Sequence, residues 1–232
     1  MNIKVLDSFW LKLIAILTMV IDHVGAVFFP QVEWIRCIGR ISFPIFCFLL
    51  VEGYFHTRNV KKYLLRLGIF AFLSEIPFDL LFIGREDMWN AQNIFFTLFI
   101  GLAAVYCMDL SNKRWSLNYN LVAVMNIVIL LAACGLAWML KTDYSLVGVL
   151  YILVFYLYRG RNGMIFVVLG VITFAAYNGF VNQIYAILAV PIIACYNGKK
   201  GRSMKYFFYV FYPAHLLILA AIYYGIYGVM PS

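Results

Sequence analysis

Lys12 and His23 lie in one apolar run, 9–29, with ten residues between them and Asp22 beside the histidine. On an α-helix, eleven steps return to within about 20° of the starting azimuth, three turns and roughly 16 Å farther along. The amine and the imidazole therefore share one stripe at different depths. Imidazole titrates near neutrality and can take a proton from an amine or a hydroxyl. Ionisable groups in a bilayer usually face a bundle interior or a wet cavity. This pair points to chemistry inside the membrane.

Other charges gather at the depth of His23. Arg36 and Arg40 share a helix face by their i,i+4 spacing, and so do Glu75 and Asp79 on the next span. Two cations and two anions on adjacent helices are natural partners, either locking those helices together or serving a site. Asp22 is about 100° from His23 around the helix, so adjacency alone does not make it the carboxylate that orients the ring; an arginine of the second helix is another partner for it. Asn93, Asp143 and Tyr144 fall at outer helix ends, where Asn and Asp commonly cap. His56 follows Glu52 by four residues at the inner end of the second helix, which suits a cap or an anion contact. His215 lies near mid-membrane on the last helix, beside Tyr212 and Pro213; a hydrogen-bonded kink is one reading and a second wall of a cavity another. No P-loop, GxGxxG, HExxH or GxSxG occurs, which argues against ATP hydrolysis, dinucleotide chemistry and the common protease classes.

The elements that must position these groups are membrane helices. The chain has 232 residues, 65% hydrophobic and 12% charged, and a mean hydropathy of +0.91. Soluble domains carry about twice that charge fraction. Apolar runs recur from end to end, so the expected fold is an all-α, polytopic integral membrane bundle forming one domain over 1–232. Nine helices are expected, at about 9–29, 34–53, 62–83, 92–110, 119–140, 144–158, 163–178, 180–196 and 206–228, within the usual error of two to four residues. The first run is long for a signal peptide and lacks a small-x-small site, so it reads as a retained helix. Five scattered cysteines without a CxxC pair read as packing residues.

Orientation follows from the loops. Fourteen basic residues, among them Lys4, Lys12, Arg58, Lys61, Lys62, Arg66 and Lys200, share one face. Arg36, Arg40, Arg85 and Lys141 share the other. Acids divide the opposite way, with Glu86, Asp87 and five others on the second face. Basic loops stay in the cytoplasm, which places the amino terminus inside. Anionic headgroups account for much of an inner positive belt, and a polyanionic cytoplasmic ligand would also gain from it.

Lys12-Leu-Ile-Ala-Ile through Ile21-Asp22-His23, then Ile38-Gly39-Arg40-Ile-Ser-Phe43-Pro44, resemble the TraX family of integral membrane proteins. Glu52-Gly53 with His56-Thr57-Arg58-Asn59, Tyr63-Leu-Leu-Arg66, and Ser74-Glu75-Ile-Pro77-Phe78-Asp79 continue the resemblance. It is dense over 12–80, about a third of the chain, and thins to Asn93-Ile-Phe-Phe-Thr97 and Asp143-Tyr144. The best-known members acetylate the amino terminus of pilin. The family looks related to a broader class of transmembrane acyltransferases with a basic residue, ten arbitrary residues and a catalytic histidine, a spacing that Lys12 and His23 match.

The resemblance implies acetyl-CoA as a cytoplasmic donor and an acceptor reached from outside: a protein amino terminus, a glycan or a lipid headgroup. In those terms Lys12, Arg58 and Arg66 would bind the donor, and His23 would be the general base or, alternatively, would carry the acetyl group as a transient acetyl-histidine. Arg40 would stabilise the oxyanion, while Asp22 or Glu75 would orient the ring. Arg36, Asp79, Asn93, Asp143, Tyr144 and His215 would contact substrate. Neither a metal nor nucleic acid is expected, and the expected location is a bacterial cytoplasmic membrane. The competing readings are a proton-coupled transporter or flippase using Asp22, His23, Glu75 and Asp79 as a relay, and a non-catalytic scaffold whose charges only pack helices.

Overall fold

Asp7 starts the first helix, α1 (Ser8–Phe28), by accepting from the amides of Phe9 and Trp10 at 2.9 and 3.0 Å. The computed structural model describes residues 4–83, 90–177, 181–203 and 205–229. Arg85, Glu86 and Asp87, the expected helix ends at 178 and 180, and the side chain of Lys205 lie outside the described residues.

The expected second helix is two, α2 (Glu33–Gly39) and α3 (Ser42–His56). Pro44 is the reason: it donates no hydrogen bond and its ring crowds the carbonyl four residues back, at Arg40, where the break falls. The third is α4 (Val60–Phe78), capped by Asn59 and continued by a π-helical turn, Asp79–Ile83, just after Pro77. Then come α5 (Ile94–Arg114), capped by Asn93, and α6 (Tyr119–Met139), capped by Asn118. α7 (Ser145–Leu157) and α8 (Asn162–Ala176) are short. The expected eighth helix is a 3-10 stretch, Val181–Leu188, running into α9 (Ala189–Ala194), and α10 (Lys205–Tyr227) ends the bundle. The described residues contain no strand.

Five of these helical stretches are long and apolar enough to cross a membrane: Ser8–Phe28, Glu33–His56, Ile94–Arg114, Tyr119–Met139 and Tyr206–Tyr227. By that measure nine crossings are not reached, because three apolar helices are short and α4 carries Lys61, Lys62, Arg66 and Glu75. The chain is an all-helical membrane protein. α6 shows Val124, Ile127, Val128 and Leu131 on its surface, all more than half exposed, as a lipid-facing helix should.

The interior is built on α3, α5 and α7. Phe155, Ile152, Leu102 and Val105 are fully buried there, and Gly101 lets Ile152 in so closely that a Cβ would lie 2.3 Å from its Cδ1. At one end of the bundle the chain start is stitched to a distant loop. Leu6 donates to the Cys195 carbonyl, Asn197 donates back to Leu6, and Ser8 donates to Lys199, at 2.8–2.9 Å. Arg159 meets Glu52 at 2.7 Å at that same end. At the opposite end Asp143 donates its amide to Gln92 at 2.8 Å, and Arg36 meets Asp22 at 3.0 Å.

Candidate active site

α1 and α10 bring His23 and His215 together. Nδ1 of His23 lies 2.8 Å from Nε2 of His215, with the rings parallel within 8° and 5.0 Å between centroids. Nδ1 of His215 is 3.0 Å from the Phe211 carbonyl. A carbonyl only accepts, so this nitrogen carries the proton and Nε2 of His215 is left as the acceptor. Nδ1 of His23 must then donate, and the remaining lone pair of His23 is on Nε2. The partners thus fix a neutral tautomer with one basic nitrogen free. Edge contacts from Phe82, at 5.2 Å, and Tyr212, at 6.4 Å, hold the ring in place.

Neither carboxylate expected to orient the ring does so; His215 takes that position. Asp22 turns instead to the arginines, accepting from Arg36 Nε at 3.0 Å with Arg40 3.6 Å away. That approach needs Gly39, where a Cβ would sit 2.1 Å from Asp22 Cβ. Glu75 is fully buried against Asn93, whose side-chain amide makes a very short bond to it and whose backbone amide donates at 3.3 Å. The same side chain donates to the Ala71 carbonyl at 2.7 Å. Asn93 thus both caps α5 and ties it to α4. The pairing expected between Arg36 or Arg40 and Glu75 or Asp79 is replaced by Asp22 for both arginines. Asp79 is fully buried in the π-helical turn.

A cavity of about 610 Å³ joins the two levels. Lys12, Arg66, His56 and Lys200 line one end; His23, Arg36, Arg40, Asp143 and Tyr144 line the other. Lys12 sits over the Phe208 ring at 5.2 Å and Arg66 over Tyr63 at 5.5 Å. Arg58 is exposed and outside the lining; Glu75, Asp79, Asn93 and His215 are buried and also outside it. Arg40 donates to the Tyr144 hydroxyl at 3.3 Å, and Tyr144 stacks on Phe43 with centroids 3.9 Å apart. Burial pushes the Asp143 carboxyl, in the loop before α7, up to about 6 against the pull of Arg40. Among the described residues no group of three or more His, Cys, Asp or Glu could hold a metal ion.

Two site features escaped the sequence reading. Lys200 was one of many basic loop residues, and only the stitching of 195–199 to the chain start brings it to the cavity mouth. The role of His215 had a signal in its mid-membrane depth, but nothing local named its partner.

The family model described as TraX protein matches residues 8–223. A protein named probable fimbrial assembly protein FimC, serogroup H1, from Dichelobacter nodosus is 37% identical over 111 residues, covering 43% of this chain and 45% of that protein. The uncharacterized protein RP591 of Rickettsia prowazekii (strain Madrid E) is 28% identical over 145 residues, covering 62% of this chain and 53% of that protein. The chain thus spans about half the length of the curated relatives it matches. No solved structure matches.

Proposed function

Since the chain belongs to the TraX family, we propose that it is a membrane-embedded acyltransferase that moves an acetyl group from cytoplasmic acetyl-CoA to an amine or hydroxyl on the outer side. The observation that carries this reading is one continuous cavity with a cationic mouth at one end and His23 at the other. In this reading the chain crosses a bacterial cytoplasmic membrane nine times with its amino terminus inside. The mouth at Lys12, Arg66 and Lys200 then receives the donor phosphates from the cytoplasm. A thioester carried about 16 Å along α1 from Lys12 reaches His23.

His23 Nε2 takes the proton of the acceptor as its oxygen or nitrogen bonds to the carbonyl carbon. Arg40 faces the same space and can stabilise the tetrahedral oxyanion. The carbon–sulfur bond then breaks, and CoA leaves as the thiol with the proton. His215 supports the charged ring, since its Nε2 accepts more strongly from an imidazolium. The fimbrial assembly named for the D. nodosus relative makes a surface protein one acceptor to test, beside glycans and lipid headgroups. The transporter reading has less support, because Glu75 and Asp79 lie outside the cavity that contains Asp22 and His23.

The test is His23-dependent release of CoA from labelled acetyl-CoA by membranes carrying the protein. Loss of a general base should slow transfer by roughly 10²- to 10⁴-fold. A folded, inserted His23→Ala protein with wild-type turnover would remove the mechanism.

A further inference from the structure

A second cavity, about 500 Å³, abuts the first and shares Arg40, Asp143 and Tyr144 with it. Thr142, Tyr177 and Gln183 are among its other walls. The three shared side chains form a wall common to both. On the loop side it is pinned. Lys141, Tyr144 and Ser145 have φ of 49°, 59° and 45°, a region side-chain-bearing residues rarely adopt. Hydrogen bonds from Asp143 to Gln92 and from Ser145 to Thr142, at 2.8 and 2.7 Å, hold the turn, and the Thr97 hydroxyl binds the Asp143 carbonyl.

Arg40 is held less firmly. Its Nε is buried without a partner among the described residues, and its reach to Tyr144 and Asp22 is long, at 3.3 and 3.6 Å. The charges of the second cavity cancel, Arg40 against Asp143. What remains is uncharged: the donors and acceptors of Thr142, Tyr177 and Gln183, two phenol faces, and the apolar Leu146, Val147 and Ala176. Such a lining recognises hydroxyls and selects no net charge.

We propose that this second cavity is the acceptor's entrance, and that it takes an uncharged, hydroxyl-bearing acceptor whose oxygen reaches His23 past Arg40. The proposal rests on the acyltransferase reading above. The acceptor oxygen bonds to the acetyl carbon, the thioester C–S bond breaks, and the hydroxyl proton leaves with CoA, so an ester and a thiol are the products.

The test uses the purified full chain in proteoliposomes with acetyl-labelled CoA thioester on one side and methyl glucoside or alanylalanine amide on the other. Hydroxylamine serves as a small acceptor that needs no binding site, its reaction counted only as the rate above that of the His23→Ala protein. His23-dependent label should enter the glucoside at least tenfold faster than the amide. Ala176→Trp, on the wall of the second cavity, should cut glucoside labelling at least tenfold and leave the hydroxylamine reaction within twofold. Leu146→Cys, on the apolar wall of the second cavity and partly exposed, should transfer normally until a bulky impermeant maleimide is attached, then lose glucoside transfer, with the maleimide-treated wild type as control. Preferential labelling of the amide overturns the acceptor class, and unchanged transfer in both blocked proteins overturns the entrance. Silence with hydroxylamine as well overturns the acyltransferase reading itself, which separates the two failures.

Discussion

Under the acyltransferase reading, replacing His215 with phenylalanine should slow acetyl transfer by roughly 5- to 13-fold without weakening donor binding. The substitution keeps a ring of similar bulk beside His23 and removes the Nε2 that lies 2.8 Å from His23 Nδ1, along with the local bond from Nδ1 to the Phe211 carbonyl. In the resting protein that bond joins two neutral groups and is worth about 0.5–1.5 kcal/mol. Once His23 has taken a proton the donor is charged and the bond is worth about 1.5–3 kcal/mol, so the part that enters the rate is the strengthening, about 1–1.5 kcal/mol or roughly 5- to 13-fold. Lys12, Arg66 and Lys200 line the other end of the cavity, so the loss should fall on kcat with KM for acetyl-CoA unchanged. The assay is initial-rate thiol release in nanodiscs, for the single variants and for the His23→Ala/His215→Phe pair. Groups acting as one unit are not additive, so the pair should be no slower than His23→Ala alone. A His215→Phe protein within twofold of wild type, or a fully additive pair, would refute the tautomer argument.

Three further outcomes are expected. Gly39→Ala pushes a Cβ to 2.1 Å from Asp22 Cβ; overpacking of this kind costs about 1–3 kcal/mol, visible as a lower melting temperature in detergent, while Gly135→Ala, with open space around it, should melt as wild type. Asn93→Leu strips Glu75 of its donors and α5 of its cap, and should cost about 2–4 kcal/mol by chemical denaturation. The folded protein holds the Asp143 proton more tightly than an unfolded chain, whose aspartates titrate near 3.9, so Asp143 lowers stability as pH rises from about 4 through about 6. Asp143→Asn should therefore lose less melting temperature than wild type between pH 4 and 7; an equal or steeper loss would show that the carboxyl titrates normally.

The helices were legible because each needs only its own apolar run, and the N-caps at Asp7, Asn59, Asn93 and Asn118 follow from residue type alone. The division of the second helix was available in Pro44, whose reach extends four residues back. Asp22 meeting an arginine of the second helix also followed from helix azimuth. The partnership of His23 with His215 did not, since 192 residues separate them and only the rotation of α10 about its axis decides which groups face α1. Glu75 shows the same limit from the other side. Its spacing from Asp79 suggested a shared arginine, yet the cap of α5 offered two donors nearer by and claimed the carboxylate.

The backbone seam between residues 6–8 and 195–199 has a consequence for how an anion is received. Lys12 and Lys200, from opposite ends of the sequence, face one opening, and mutual repulsion would drive them apart were the strands bearing them free. Folding has already overcome that repulsion, so under the acyltransferase reading an arriving polyphosphate would meet a seat that requires no rearrangement and whose attraction fades with ionic strength. In that reading the grip on the donor would be stored where the chain begins, far from the imidazole it would serve.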